Sequence, residues 1–203
     1  MSNSNDNEEE ELKAILIGDS GVGKTNLIRT CLNQPFVDGK EPTISGSFLE
    51  KKLEIEGKKF SVYLWDTAGQ EKYRGVTKLF FKGSQLVILV YDITSLESFE
   101  HLEEWFELSK NIIEGDYIYG IVGNKNDKYT ESQVKDEEVN EFAKKINCIH
   151  SKVSAKSDPG LFSSFLEELI IEFKKIKVKE RRNSIKLKHN NNSNNVHNGK
   201  KCC

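Results

Sequence analysis

The chain has 203 residues, with 30 Lys or Arg against 32 Asp or Glu and a formal net charge of -2, so one globular domain is the default and no strongly charged partner such as nucleic acid is favoured. A hydrophobic fraction of 36% supplies a core, but no apolar run approaches the roughly 20 residues of a membrane-spanning helix. Four cysteines, two isolated and two adjacent at the terminus, form neither a disulfide framework nor a zinc pattern. The near-zero charge averages unlike parts. Met1 to Leu12 holds five acids and no base, whereas Lys174 to Cys203 holds ten bases and one acid.

Residues 1–11 are polar and acidic and are expected to form a disordered leader. They lack the basic and apolar regions of a secretory signal, which predicts a cytosolic or nuclear protein. A first strand is predicted at Leu12 to Ile17 and a helix at Asn26 to Leu32, ended near Pro35. Phe48 to Glu56 and Lys59 to Trp65 alternate apolar and polar residues about Glu56-Gly57-Lys58 and predict a hairpin. Leu86 to Tyr91 and Tyr117 to Val122 predict strands buried on both faces, and Cys148 to Val153 a last short one. Helical spacing covers Phe99 to Ile113, Val134 to Ile146 and Leu161 to Lys177. Alternating strands and helices after a hairpin predict an α/β fold: a mainly parallel sheet with one antiparallel strand and helices on both faces. Ligands of such sheets sit beyond the carboxyl ends of the strands.

Gly18-Asp19-Ser20-Gly21-Val22-Gly23-Lys24-Thr25 fits G-x-x-x-x-G-K-[ST] between a strand and a helix. Glycines let backbone N–H groups curl around phosphate oxygens, Lys24 can reach the outer phosphates, and the Thr25 hydroxyl can bind Mg²⁺. The motif alone separates neither ATP from GTP nor a kinase from a hydrolase.

Two later strand ends carry Gly123-Asn124-Lys125-Asn126-Asp127 and Val153-Ser154-Ala155-Lys156. Guanine presents two donors on one edge, and Asp127 suits that edge as an acceptor. The stem of Lys125 can cover the ring, Asn124 can tie this loop to the phosphate loop, and the Ala155 N–H can point at O6. Adenine offers an acceptor at N1 and would leave polar groups unpaired. By itself Asn-Lys-Asn-Asp also suits an ordinary polar turn, and its pairing with the phosphate motif decides for the base. Between these motifs lies Trp65-Asp66-Thr67-Ala68-Gly69-Gln70-Glu71. Asp66 ends an apolar strand and can act on Mg²⁺ through water. The Gly69 N–H can approach a terminal phosphate, and Gln70 can orient an attacking water, although a solvated loop side chain is the commoner fate of glutamine.

The order GDSGVGKT, PTI, WDTAGQE, GNKND and SAK resembles the Ras superfamily of small GTPases, and Leu89-Val90-Tyr91-Asp92-Ile93-Thr94 followed by Ser95-Leu96-Glu97-Ser98-Phe99 is most similar to its Rab branch. The resemblance covers about Leu12 to Phe173 and the terminal Cys pair. It implies a P-loop NTPase small G domain of six strands over residues 12–177. It also implies that Thr43 binds Mg²⁺ and the γ-phosphate in the GTP state and that Phe36 stacks on guanine. Residues alone leave Thr43 as a loop hydroxyl and Phe36 as a core aromatic. Ser45-Gly46-Ser47-Phe48 departs from the Rab pattern of Gly, any residue, an acid and Phe.

Residues 178–203 are expected to form a flexible, basic, Asn-rich tail. Cys202 and Cys203 can be incidental thiols, but behind a Rab-like domain they resemble a double geranylgeranylation site. The resemblance then implies a switch that binds GTP or GDP with Mg²⁺, hydrolyses GTP slowly and regulates vesicle traffic. Catalysis would rest on Gln70, Lys24 and Thr43, with Thr25, Thr43 and Asp66 on the metal. Implied partners are an exchange factor, a GTPase-activating protein, a GDP-dissociation inhibitor or escort protein, and GTP-dependent effectors, at the cytoplasmic face of membranes with a cytosolic pool. The alternative is a GTP-binding scaffold with negligible hydrolysis. A P-loop nucleoside or nucleotide kinase would share the cradle but not the GNKND stretch or the cysteine tail.

Overall fold

The computed structural model describes residues 9–39, 47–67 and 80–194, with side chains as far as 178 except that of Ser47. Among them, six strands form one sheet in the order β2-β3-β1-β4-β5-β6. They are β1 (Glu10–Ile17), β2 (Ser47–Ile55), β3 (Lys58–Asp66), β4 (Leu86–Asp92), β5 (Ile118–Asn124) and β6 (Ile149–Lys152). Only β2 and β3 pair antiparallel, as the hairpin predicts, and every other pairing is parallel. The helices are α1 (Lys24–Cys31), α2 (Leu96–Glu100), α3 (Leu102–Lys110), α4 (Asp136–Lys145) and α5 (Pro159–Asn194).

Alternation along the strands divides the core in two. Leu12, Ala14 and Leu16 of β1, with Leu86, Ile88 and Val90 of β4, face Leu27 and Ile28 of α1 and Phe162, Phe165, Leu169 and Phe173 of α5. Their sequence neighbours Ile15, Ile17, Val87, Leu89 and Tyr91 face Leu102 and Trp105 of α3 and Val139 and Ala143 of α4. Each fully buried large side chain contributes about 1.5–3 kcal/mol, and two covered faces explain why β4 is apolar without interruption up to Tyr91.

Three boundaries differ from expectation. Strand β1 starts inside the expected leader, with Glu10 and Glu11 in register with Phe60 and Ser61. Glu9 accepts from Ser61 Oγ at 2.8 Å and pairs with Lys52 at 3.3 Å, while Glu10 pairs with Lys174. Ladder bonds and these cations recruit residues whose composition alone argues for disorder. The helix expected over Phe99 to Ile113 is two segments, because the backbone turns at His101 between α2 and α3. Helix α5 runs to Asn194, past the expected limit at Lys177. Lys, Arg and Glu, frequent from Lys179 to Lys188, are good helix formers, so backbone bonding continues after the apolar stripe ends.

Candidate functional site

The phosphate-type loop, Phe36 to Gly39 and the loops after β5 and β6 converge at the carboxyl ends of the strands. They line a cleft of about 800 Å³ that includes Lys24, Thr25, Phe36, Asn124, Lys125, Asp127, Ala155 and Lys156. Glycine spacing in the loop has a steric cause. A Cβ on Gly18 would lie 2.1 Å from the Val90 carbonyl oxygen, and one on Gly23, where φ is +97°, would lie 2.3 Å from Asn124 Nδ2. The loop therefore passes tightly over β4 and leaves room for a side chain from β5.

That side chain is the brace of the site. Asn124, 2% exposed, donates from Nδ2 to the Val22 carbonyl at 2.8 Å and accepts the Ala155 N–H on Oδ1 at 3.2 Å. One buried amide thus ties the phosphate loop to both base-side loops, as expected for Asn124. The Ala155 N–H, expected to face O6, is engaged by this amide instead. Ser154 donates from Oγ to Asp127 Oδ1 at 2.6 Å and accepts the N–H groups of Lys156 and Ser157 at 3.2 and 3.0 Å. Asp127 is exposed at the rim, so a seated base would complete its burial.

Lys24 is 5% exposed, and its Nζ lies 2.7 Å from the carbonyl oxygens of both Gly18 and Asp19. Burial pushes its pKa down to about 8, with the Asp66 and Asp19 charges opposing the fall. An ammonium has three donors, and these carbonyls take two. Ser20, Gly21 and Thr25 line the same end of the cleft, and Val22 is buried behind them.

Asp66, at the end of β3, is 5% exposed. Burial raises its pKa, opposed first by a hydrogen bond from Thr25 and then by Lys24. Among the described residues its Oδ1 has no hydrogen-bond partner. A buried, unpartnered carboxylate oxygen beside a hydroxyl is a hard-oxygen donor set, and it fits Mg²⁺ held directly or through water.

Phe36 is half-buried: it lines the cleft, packs on the core with α1 and α5, and has Lys156 Nζ 6.0 Å from its ring centre. Asn26 holds the adjoining segment, giving and taking a hydrogen bond with the Val37 backbone, each 3.0 Å. Thr43, Gly69, Gln70, Cys202 and Cys203 lie outside the described residues.

Three neighbours of the site escaped the sequence analysis. Asp92 ends β4 and holds Lys125 Nζ at 2.5 Å from Oδ2, while Oδ1 accepts the Thr94 N–H and hydroxyl at 2.9 and 2.8 Å. A lone carboxylate closing a fully apolar strand was the available signal. His101 and Trp105 both reach Asp19, and their one-turn spacing was visible but its target was not.

The model of the Ras family matches residues 13–175. The chain is 38% identical over 180 residues to the Ras-related protein RABC2b of Arabidopsis thaliana, a match covering 87% of each chain. It is 39% identical over 160 residues to the Ras-related protein Rab-18 of Lymnaea stagnalis, covering 78% of each. It is also 36% identical over 156 residues to the Ras-related protein SEC4 of Candida albicans, covering 77% of this chain and 74% of that one. Matches of this extent, over the same residues that build the cleft, place the chain in the Ras family as a Rab-like small GTPase.

Proposed function

We propose that this chain is a GTP/GDP-switched regulator of vesicle and membrane traffic that binds GTP with Mg²⁺ and hydrolyses it slowly. The observation that carries this is the Asn124 brace, which puts a phosphate cradle and a guanine-matching carboxylate at opposite ends of one cleft. Asp127 accepts from the guanine edge while Ser154 holds it, and Asp92 holds Lys125 beside the ring. Lys24 and the loop N–H groups take the phosphates. Thr25 and Asp66, joined by Thr43, hold Mg²⁺, which when bound neutralises phosphate charge. Gln70 orients the attacking water, and Gly69 senses the terminal phosphate.

Hydrolysis awaits transition-state charge stabilisation from an activating protein. An exchange factor, a GDP-dissociation inhibitor or escort protein, and GTP-dependent effectors complete the cycle. Phe48, 54% exposed, stacks on Trp65 at 5.0 Å, and Trp65 meets Phe80 at 5.6 Å, an apolar strip suited to such partners. Among the described residues no helix is long and apolar enough to cross a membrane. Attachment falls to geranylgeranyl groups on Cys202 and Cys203, since two chains are what stable anchoring requires.

The test is single-turnover GTP hydrolysis with fractions containing an activating protein. Gln70→Leu should abolish most stimulated turnover and leave GTP affinity nearly intact. Wild-type chain that binds GTP but never turns it over would instead support a non-hydrolysing scaffold.

A further inference from the structure

Asp19 stands at an unspecified position of the G-x-x-x-x-G-K-[ST] pattern, yet its carboxylate is held at both oxygens by the opposite layer of the fold. Trp105 donates from Nε1 to Oδ1 at 2.9 Å, and His101 Nδ1 lies 2.6 Å from Oδ2. An ionised carboxylate only accepts, so Nδ1 of His101 carries the hydrogen and protonation changes occur at Nε2. His101 sits at the turn between α2 and α3, and Trp105 is one helical turn on, on the same face. The main-chain oxygen of Asp19 holds Lys24 Nζ at 2.7 Å. His101 and the lysine assigned to the phosphates are therefore linked by two hydrogen bonds through the single residue Asp19.

We propose that His101 is a positioning residue for the phosphate loop, whose imidazolium charge offsets that of Asp19 and thereby slows release of a bound nucleoside diphosphate at mildly acidic pH. The inference rests on the nucleotide-binding function proposed above. A carboxylate in the loop repels the anion the loop holds, and a cation beside it cancels part of that repulsion. The bond itself survives deprotonation, so pH changes the charge and leaves the tether in place.

The charged groups facing His101 among the described residues are Asp19 from the loop and Glu97 and Glu104 from its own helical segments. All three favour the imidazolium, and the Asp19 hydrogen bond is the largest influence, raising the pKa above its ordinary 6.5. The charge pair is thus complete below about 6.5 and is lost as pH rises through the raised value. Lys24, with a pKa of about 8, also titrates nearby and is common to every variant below.

The test is release of a fluorescent GDP analogue from the full-length, Mg²⁺-loaded protein between pH 6 and pH 8. His101→Asn keeps a donor and removes the titration. At pH 6 the wild type should release about fivefold more slowly than His101→Asn, the scale of one partly exposed ion pair, and the difference should shrink as pH rises through the raised pKa. Loading is measured first. No guanine-nucleotide binding at any pH overturns the proposed function and this inference together. Loading with superimposable pH profiles overturns the inference alone. In parallel, the His101 ring is titrated by NMR in wild type and in Asp19→Asn, which does not depend on nucleotide. A pKa that falls in Asp19→Asn supports the pair, and an unchanged one refutes it.

Discussion

The two ends of the cleft are built on opposite terms. At the base end, polar groups are committed to fixed partners: Ser154 to Asp127, Asp92 to Lys125, and Asn124 to Val22 and Ala155. At the phosphate end a buried ammonium rests on two main-chain carbonyls, and a buried carboxylate oxygen has no partner among the described residues. The first arrangement preorganises a shape, which suits discrimination between similar bases. The second keeps charge in reserve for a charged ligand and its cation, because unsatisfied buried polar groups gain most from an incoming partner.

The contrast breaks most visibly at Lys24. Lys24→Met should lower GTP affinity on the order of a thousandfold, since charge-assisted bonds to phosphate are lost. The melting temperature of the ligand-free protein should not fall, because a costly buried ammonium leaves with it. Calorimetric titration and thermal denaturation check both halves. Asn124→Ala acts in the opposite sense and strips partners from the Val22 carbonyl and the Ala155 N–H. It should cost about 2–4 kcal/mol of stability even without ligand, readable in chemical denaturation. The smallest effect is expected at Ser154. Ser154→Ala removes one tether of an exposed carboxylate and the acceptor of the Lys156 and Ser157 N–H groups, and should weaken GTP binding by about 1 kcal/mol and lower stability by about 1 kcal/mol.

These expectations also mark what was legible in the sequence. GDSGVGKT and GNKND are each contiguous, and the two motifs together, both at predicted strand ends, point to a phosphate cradle and a base reader. The two-faced sheet was legible because β4 and β5 are apolar along their length. Contacts between distant segments were not. His101 and Trp105 meet Asp19 across 82 and 86 positions, and nothing local to either helix segment specifies that target. The start of β1 was misplaced for a related reason, because Glu9 and Glu10 are ordered by Ser61, Lys52 and Lys174, which only the folded sheet brings near. Free Cys31 is buried and Cys148 half-buried, as their apolar neighbours imply, and burial pushes the Cys148 thiol up to about 12.

The central claim is that the fixed end of the cleft reads guanine through Asp127. Competition binding of GTP against XTP and ATP, on wild type and on Asp127→Asn, tests it most directly. An amide can donate to the extra carbonyl of xanthine where a carboxylate cannot. Wild type should select GTP over both competitors, and the variant should shift toward XTP by about 2 kcal/mol or more, the cost of a mispaired polar edge. A variant that still prefers GTP as strongly as the wild type would contradict the claim.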